Sequence, residues 1–257
     1  MSVRLVVSIE AGTSTEWQAS LLCYSLLRAG EPAPLTVLCA GGPATEPMAG
    51  AEVIVTPSYR HLDGGNYAPF NKPCGIVDWF RVSPPEEDWV LLLDPDMVLF
   101  APLPPPPEVP TGEYYPSNKA DLTEPHVRAL TRNPGLLQPV GIPLWLPREA
   151  LRAVAPGWRD RTVALRRVNA LHDAWVVEMV GYQLAAADLG IRHRCTVHAC
   201  GPNLLHYAPG ICGMWWRKHR YQPWGVPAPA GSSNPTLVAF VALLSEYAAL
   251  RRAAVGR

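Results

Sequence analysis

The sequence predicts an α/β protein with a mainly parallel central sheet flanked by helices, on three observations. Apolar runs of strand length recur at Val3–Ile9, Leu35–Cys39, Glu52–Val55 and Trp89–Leu93. Segments with apolar residues at helical spacing stand among them, and that alternation is the mark of βαβ units. At 257 residues and 48% hydrophobic, the chain can also bury a sizeable core without disulfides or a structural metal.

The elements follow in order. Val3–Ile9 reads as a core strand, and Glu16–Leu27 as a helix that Gly30 stops. Leu35–Cys39 and Glu52–Val55 read as two more buried strands, and Asn71–Arg81 as a helix with Pro73 in its first turn. Trp89–Leu93 is the strongest buried-strand signal, and it runs straight into Asp94-Pro95-Asp96. Residues 102–110 are too rich in proline for helix or central strand, so an extended surface connection is expected there. Gly141–Leu146 reads as a strand, with Pro147 opening a helix. His172–Leu189 has helical spacing and stops at Gly190, and Asn203–Tyr207 reads as a short strand. Asn234-Pro235 caps a final amphipathic helix over residues 235–250. There are no repeats, and residues 1–257 are expected to form one domain.

Composition excludes several functions. The 22 basic and 22 acidic side chains cancel, so no broad positive field is available for nucleic acid or an anionic membrane. The longest apolar runs fall short of the roughly 20 residues needed to span a bilayer. No signal-peptide pattern precedes Val3, and the six cysteines form no CxxC pair. A cytoplasmic setting is expected. Walker A, GxGxxG, GxSxG and zinc-finger spacings are all absent, which leaves nucleotide hydrolysis, Rossmann redox chemistry and serine hydrolysis without support.

Five groups of residues could carry chemistry. Asp94 and Asp96 emerge at the carboxyl end of a central strand, the edge where open α/β sheets bind ligands. On an extended chain, residues two apart point to one side, so both carboxylates can meet one Mg²⁺ or Mn²⁺. A solvated Asp-Pro turn fits the same residues. His206, at the end of an apolar strand, is a potential metal ligand or an ordinary core histidine. Trp175, Glu178 and Tyr182 fall at i, i+3 and i+7, one helix face that could line a sugar site or pack in the core. Lys72, beside Asn71 at a helix N-terminus, could be an ordinary surface lysine or meet a phosphate. The basic run Arg217-Lys218-His219-Arg220, next to Trp215 and Trp216, could do so too, or be a solvated face.

Five blocks, taken in order, resemble the plant hydroxyproline O-arabinosyltransferases and the related peptidyl-serine α-galactosyltransferases. They are Phe70-Asn71-Lys72-Pro73 through Phe80, the strand from Trp89 through Pro104, and Pro139–Trp158. The last two are Trp175–Tyr182, which contains Trp-x-x-Glu-Met, and Leu205-His206-Tyr207. The resemblance implies a Rossmann-like GT-A glycosyltransferase domain that uses a UDP-sugar and Mn²⁺ (or Mg²⁺), retaining anomeric configuration. It implies Asp94, Asp96 and His206 as metal ligands, with Asp96 and Glu178 in the catalytic set. Asn71 and Lys72 join them at the donor, and Trp175, Glu178, Tyr182 and Tyr207 bind substrate. Arabinofuranose or galactose is the implied sugar, and hydroxyproline, serine or a small natural product the acceptor.

The chain departs from the family in two places. Asp94 stands where Glu is common, which keeps the ligand chemistry. Lys72 replaces an Arg, keeping the charge but losing the bidentate fork. Two other readings remain: a UDP-sugar-binding module without turnover, and a sugar-1-phosphate nucleotidyltransferase. The second would want a Gly-rich loop after the first strand, where Glu10-Ala11-Gly12-Thr13-Ser14 has one glycine.

Overall fold

Strand β1 (Val3–Glu10) has parallel neighbours on both sides. On one flank lies β2 (Leu35–Ala40), buried along its whole length, and beyond it β3 (Ala51–Thr56), also parallel. On the other lies β4 (Trp89–Leu93), where all five residues are buried. Strands covered on both faces read as unbroken apolar runs, which explains why β2 and β4 are so plain in the sequence. The computed structural model of the protein describes residues 1–115, 121–168, 171, 174–196, 202–207 and 234–255.

The sheet continues in mixed fashion. Next to β4 comes β7 (Val140–Pro147), antiparallel, then β6 (Thr111–Tyr114), antiparallel to β7, and β8 (Arg194–Thr196), parallel to β6. The seven-stranded order is β3-β2-β1-β4-β7-β6-β8. The expected α/β class and mainly parallel sheet are what the structure has. One expectation is corrected: β3 is an edge strand rather than a buried one, with Val53 40% and Val55 54% exposed. Its apolar run has β2 on one side and solvent on the other.

Helix α1 (Ser14–Ala29) is capped by the Thr13 side chain and ends at Gly30, whose φ of 69° is the left-handed turn that favours glycine. Helix α2 (Asn71–Val82) lays Gly75 against Leu38 of β2. Helices α3 (Arg148–Arg167) and α4 (Val177–Asp188) pack closely on each other. At their contact, a Cβ on Gly181 would meet Thr162 Oγ1 at 2.3 Å. Helix α5 (Pro235–Val255) starts at Asn234, whose Oδ1 accepts the Thr236 N–H at 3.0 Å, as the Asn-Pro pair predicts, and it runs past residue 250. Residues 102–110 hold no helix or strand. The Leu103 N–H is pinned to Glu31 beyond α1 at 2.6 Å.

A second, two-stranded sheet pairs β5 (Met97–Leu99) with β9 (Leu204–His206), antiparallel. It sits on its own cluster, where Val98, Leu205 and Tyr207 pack against Leu21 of α1 and Leu237, Phe240 and Leu244 of α5. No helix among the described residues is long and apolar enough to cross a membrane.

Candidate active site

The site begins where β4 stops. Asp94-Pro95-Asp96 turns the chain out of the large sheet and into β5, and the Met97 N–H closes that turn on the Asp94 carbonyl at 3.2 Å. Proline is favoured at the second position of such a turn. The two carboxylates therefore meet across a turn, not along the extended chain that the sequence suggests. Asp96 is only 4% exposed, so this is no solvated strand ending.

His206 arrives by β-pairing. Met97 lies opposite His206, and the Tyr207 N–H donates to the Asp96 carbonyl at 3.0 Å. That register sets His206 Nε2 3.2 Å from Asp96 Oδ2. One ligand atom from each of Asp94, Asp96 and His206 falls within 4.8 Å of the others. Burial lowers the His206 pKa, Lys72 acting with it and Asp94 and Glu113 against it. The ring is thereby kept neutral, the form that ligates metals.

Lys72, on the first turn of α2, reaches the same point. Its Nζ lies 2.8 Å from Asp94 Oδ1 and 3.4 Å from Glu178 Oε2. Burial opposes its charge, but Asp94 and Glu178 outweigh that and hold its pKa above the ordinary lysine value. Glu178, on the first turn of α4, is itself buried. Burial pushes its carboxyl up to about 7, with Lys72 opposing and Asp94 adding to the rise. Its Oε1 has no hydrogen-bond partner among the described residues. A buried oxygen in that condition is costly, and a substrate hydroxyl would satisfy it.

The other expected residues fall elsewhere. Trp175, Glu178 and Tyr182 do not share one face. Trp175 lies in a 3₁₀ turn, Ala174–Val176, and is 66% exposed. Such a turn has three residues rather than 3.6 per revolution, so the helical register breaks before α4 begins. Tyr182 is a core residue, its ring 5.1 Å from Trp158 and its Oη 2.7 Å from His193 Nε2. Tyr207 is also in the core, stacked on Phe240 at 4.9 Å. Neighbours on a strand point to opposite faces, so His206 and Tyr207 cannot both enter the site. Asn71 is buried beside it, its Oδ1 accepting the Tyr59 N–H at 2.7 Å. The run Arg217–Arg220 lies outside the described residues.

Two tyrosines belong to the site that no motif announces. The Tyr67 hydroxyl donates to the Trp175 carbonyl and accepts the Glu178 N–H, both at 2.9 Å, and so ties down the start of α4. Tyr115, just past β6, lies 3.3 Å from His206 Nδ1. Neither has a spacing partner in sequence, since each acts on a residue 90 or more positions away.

The family described as "Hydroxyproline O-arabinosyltransferase family N-terminal domain" matches residues 4–195. Peptidyl serine alpha-galactosyltransferase of Arabidopsis thaliana is 29% identical over 247 residues, covering 83% of this chain and 31% of its own length. Hydroxyproline O-arabinosyltransferase 3 of the same plant is 30% identical over 149 residues, 54% of this chain and 41% of its own. Peptidyl serine alpha-galactosyltransferase of Chlamydomonas reinhardtii is 26% identical over 217 residues, 70% of this chain and 29% of its own. The chain thus spans less than half the length of each of these relatives, all of which are named as glycosyltransferases.

Proposed function

This chain belongs to the hydroxyproline O-arabinosyltransferase family, and on that premise we propose that it is a glycosyltransferase with a UDP-sugar donor. Arabinofuranose or galactose goes to a hydroxyl, that of hydroxyproline or serine in a peptide or of a small natural product. The anomeric carbon exchanges its bond to the diphosphate for one to the acceptor oxygen, with retention, releasing UDP and a proton. The observation that carries this reading is the convergence of Asp94, Asp96 and His206 beside Lys72 and Glu178.

The donor set fits a divalent cation. Two carboxylates and a neutral imidazole offer hard oxygen and one nitrogen, and Lys72 offsets only part of their negative charge. Neighbouring ligands of an octahedral ion with bonds of ~2.1 Å stand ~3.0 Å apart, close to the 3.2 Å between His206 Nε2 and Asp96 Oδ2. When bound, Mn²⁺ or Mg²⁺ supplies Lewis-acid neutralisation of the diphosphate. Asp94, Asp96 and His206 hold it. Lys72 adds a fixed positive charge beside the departing UDP, in a site where burial strengthens each charge. Glu178, oriented by Lys72 and Tyr67, accepts a hydrogen bond from a sugar or acceptor hydroxyl.

The test is a donor screen on purified protein, following UDP release with and without Mn²⁺, for the unaltered chain and Asp96→Asn. One UDP-sugar should be consumed in the presence of the cation. Losing an outer partner of a metal ligand costs roughly 10- to 100-fold, so losing Asp96 itself should cost at least that. Failure to turn over any UDP-sugar would overturn the reading.

A further inference from the structure

Tyr115 stands between two groups of fixed character. Its Oη is 3.1 Å from the Ile142 carbonyl oxygen, on β7, and 3.3 Å from His206 Nδ1, on β9. A carbonyl can only accept, so the phenolic hydrogen goes to Ile142. The oxygen lone pair that remains can then accept from His206. We propose that Tyr115 is a positioning residue for His206, fixing its imidazole as the Nδ1–H tautomer with the Nε2 lone pair left to ligate a cation shared with Asp96.

The opposite tautomer, with Nε2–H donating to Asp96, would oblige Tyr115 to abandon Ile142 and donate to Nδ1. The carbonyl therefore biases the ring toward the ligating form. Outer partners commonly orient metal-binding histidines in this way.

The seat of the tyrosine is built into the sheet. The Tyr115 N–H donates to the Pro139 carbonyl at 2.8 Å, continuing the β6–β7 ladder by one bond. Its ring lies flush over Gly141 of β7, where a Cβ would stand 2.7 and 2.8 Å from two ring carbons. Any side chain at that position must displace the ring. The phenol is thus held by a backbone bond on one side, a glycine beneath and a carbonyl at its tip.

This inference rests on the proposed cation site, and the experiment separates the two. Mn²⁺ binding to the whole chain, without donor, is measured by the electron paramagnetic resonance of the free ion. The unaltered protein should bind. Tyr115→Phe, which removes a single oxygen, should bind about 10-fold more weakly or worse, with its thermal midpoint in EDTA close to that of the parent. Gly141→Ala should weaken binding in the same direction, by moving the ring. In a His206→Gln background, Tyr115→Phe should have no further effect on affinity, because its action passes through the imidazole. Undiminished affinity in Tyr115→Phe, or an equal loss with and without His206, overturns the role of Tyr115 and leaves the cation site standing. No Mn²⁺ binding by the unaltered protein overturns the site and the inference together.

Discussion

The two halves of the large sheet are built on different plans. From β3 to β4 every pairing is parallel, and β2 and β4 are buried along their whole length. From β7 to β8 the directions are mixed: β7 pairs antiparallel with β6, and β6 parallel with β8. The parallel half supplies rigidity and one edge of carboxylates. The mixed half, with the β5–β9 ribbon, brings Tyr115 and His206 to that edge. Stability should therefore concentrate where the first plan meets the helices, and the tuning of chemistry where the second plan meets the ribbon.

The largest effect is expected in the core beneath the helices. Trp158 is buried in the core, and its Nε1–H donates to the Glu178 carbonyl at 2.8 Å. Trp158→Ala should cost about 3–5 kcal/mol, read from urea unfolding; a loss below 1 kcal/mol would mean that Trp158 does not hold the two helices together. Lys72→Met comes next. Removing the cation that faces Asp94 and Glu178 should lower turnover by on the order of 10²- to 10³-fold. A steady-state assay with the preferred donor checks it, and an unchanged rate would remove Lys72 from the site.

A pH series sharpens the comparison within the mixed half. Burial pushes the His193 pKa down to about 4 from 6.5. Its Nε2 lies 2.7 Å from the Tyr182 hydroxyl, and protonation would place a charge in that buried setting. Between the two values the unfolded chain binds the extra proton, so this stability is complete above pH ~6.5 and is lost as pH falls toward ~4. The loss is on the order of 3 kcal/mol. Urea midpoints at falling pH should show it, and His193→Gln should flatten that slope; an equal slope in the variant would clear His193 of the effect. The smallest effect belongs to the edge of the parallel half. Val53→Thr, on exposed β3, should stay within ~0.5 kcal/mol of the parent, whereas a larger loss in thermal unfolding would mean that β3 is covered in solution.

The same contrast explains what the sequence discloses. Trp89–Leu93 followed by Asp94 is legible because burial, strand length and site edge are written in one uninterrupted stretch. The Asn234 cap and the Gly30 stop are legible for the same reason, as each is a local contest between a side chain and its own backbone. His206 is visible only as a histidine after a short strand. What gives it a partner is pairing with β5, and register across 110 positions leaves no periodic mark. Helical spacing gives Tyr182 a face without saying which face meets the core, and the resemblance gives Tyr207 a role without its packing; both are core residues. Tyr115 and Tyr67 act through single hydroxyls on distant backbone and ring atoms, a relation that no window along the chain contains.

The turn at Asp94-Pro95-Asp96 has a mechanical consequence. Asp94, with Lys72 and Glu178, belongs to the large sheet and the helices against it, while Asp96 and His206 ride on the ribbon. The site is a caliper, one jaw on each sheet, with a three-residue pivot between them. Behind the ribbon, Tyr207 is stacked on Phe240 of α5, and Val98 and Leu205 lie in the same cluster. A ligand held by both carboxylates therefore bridges the two sheets, and its ribbon side is backed by a helix from the far end of the chain.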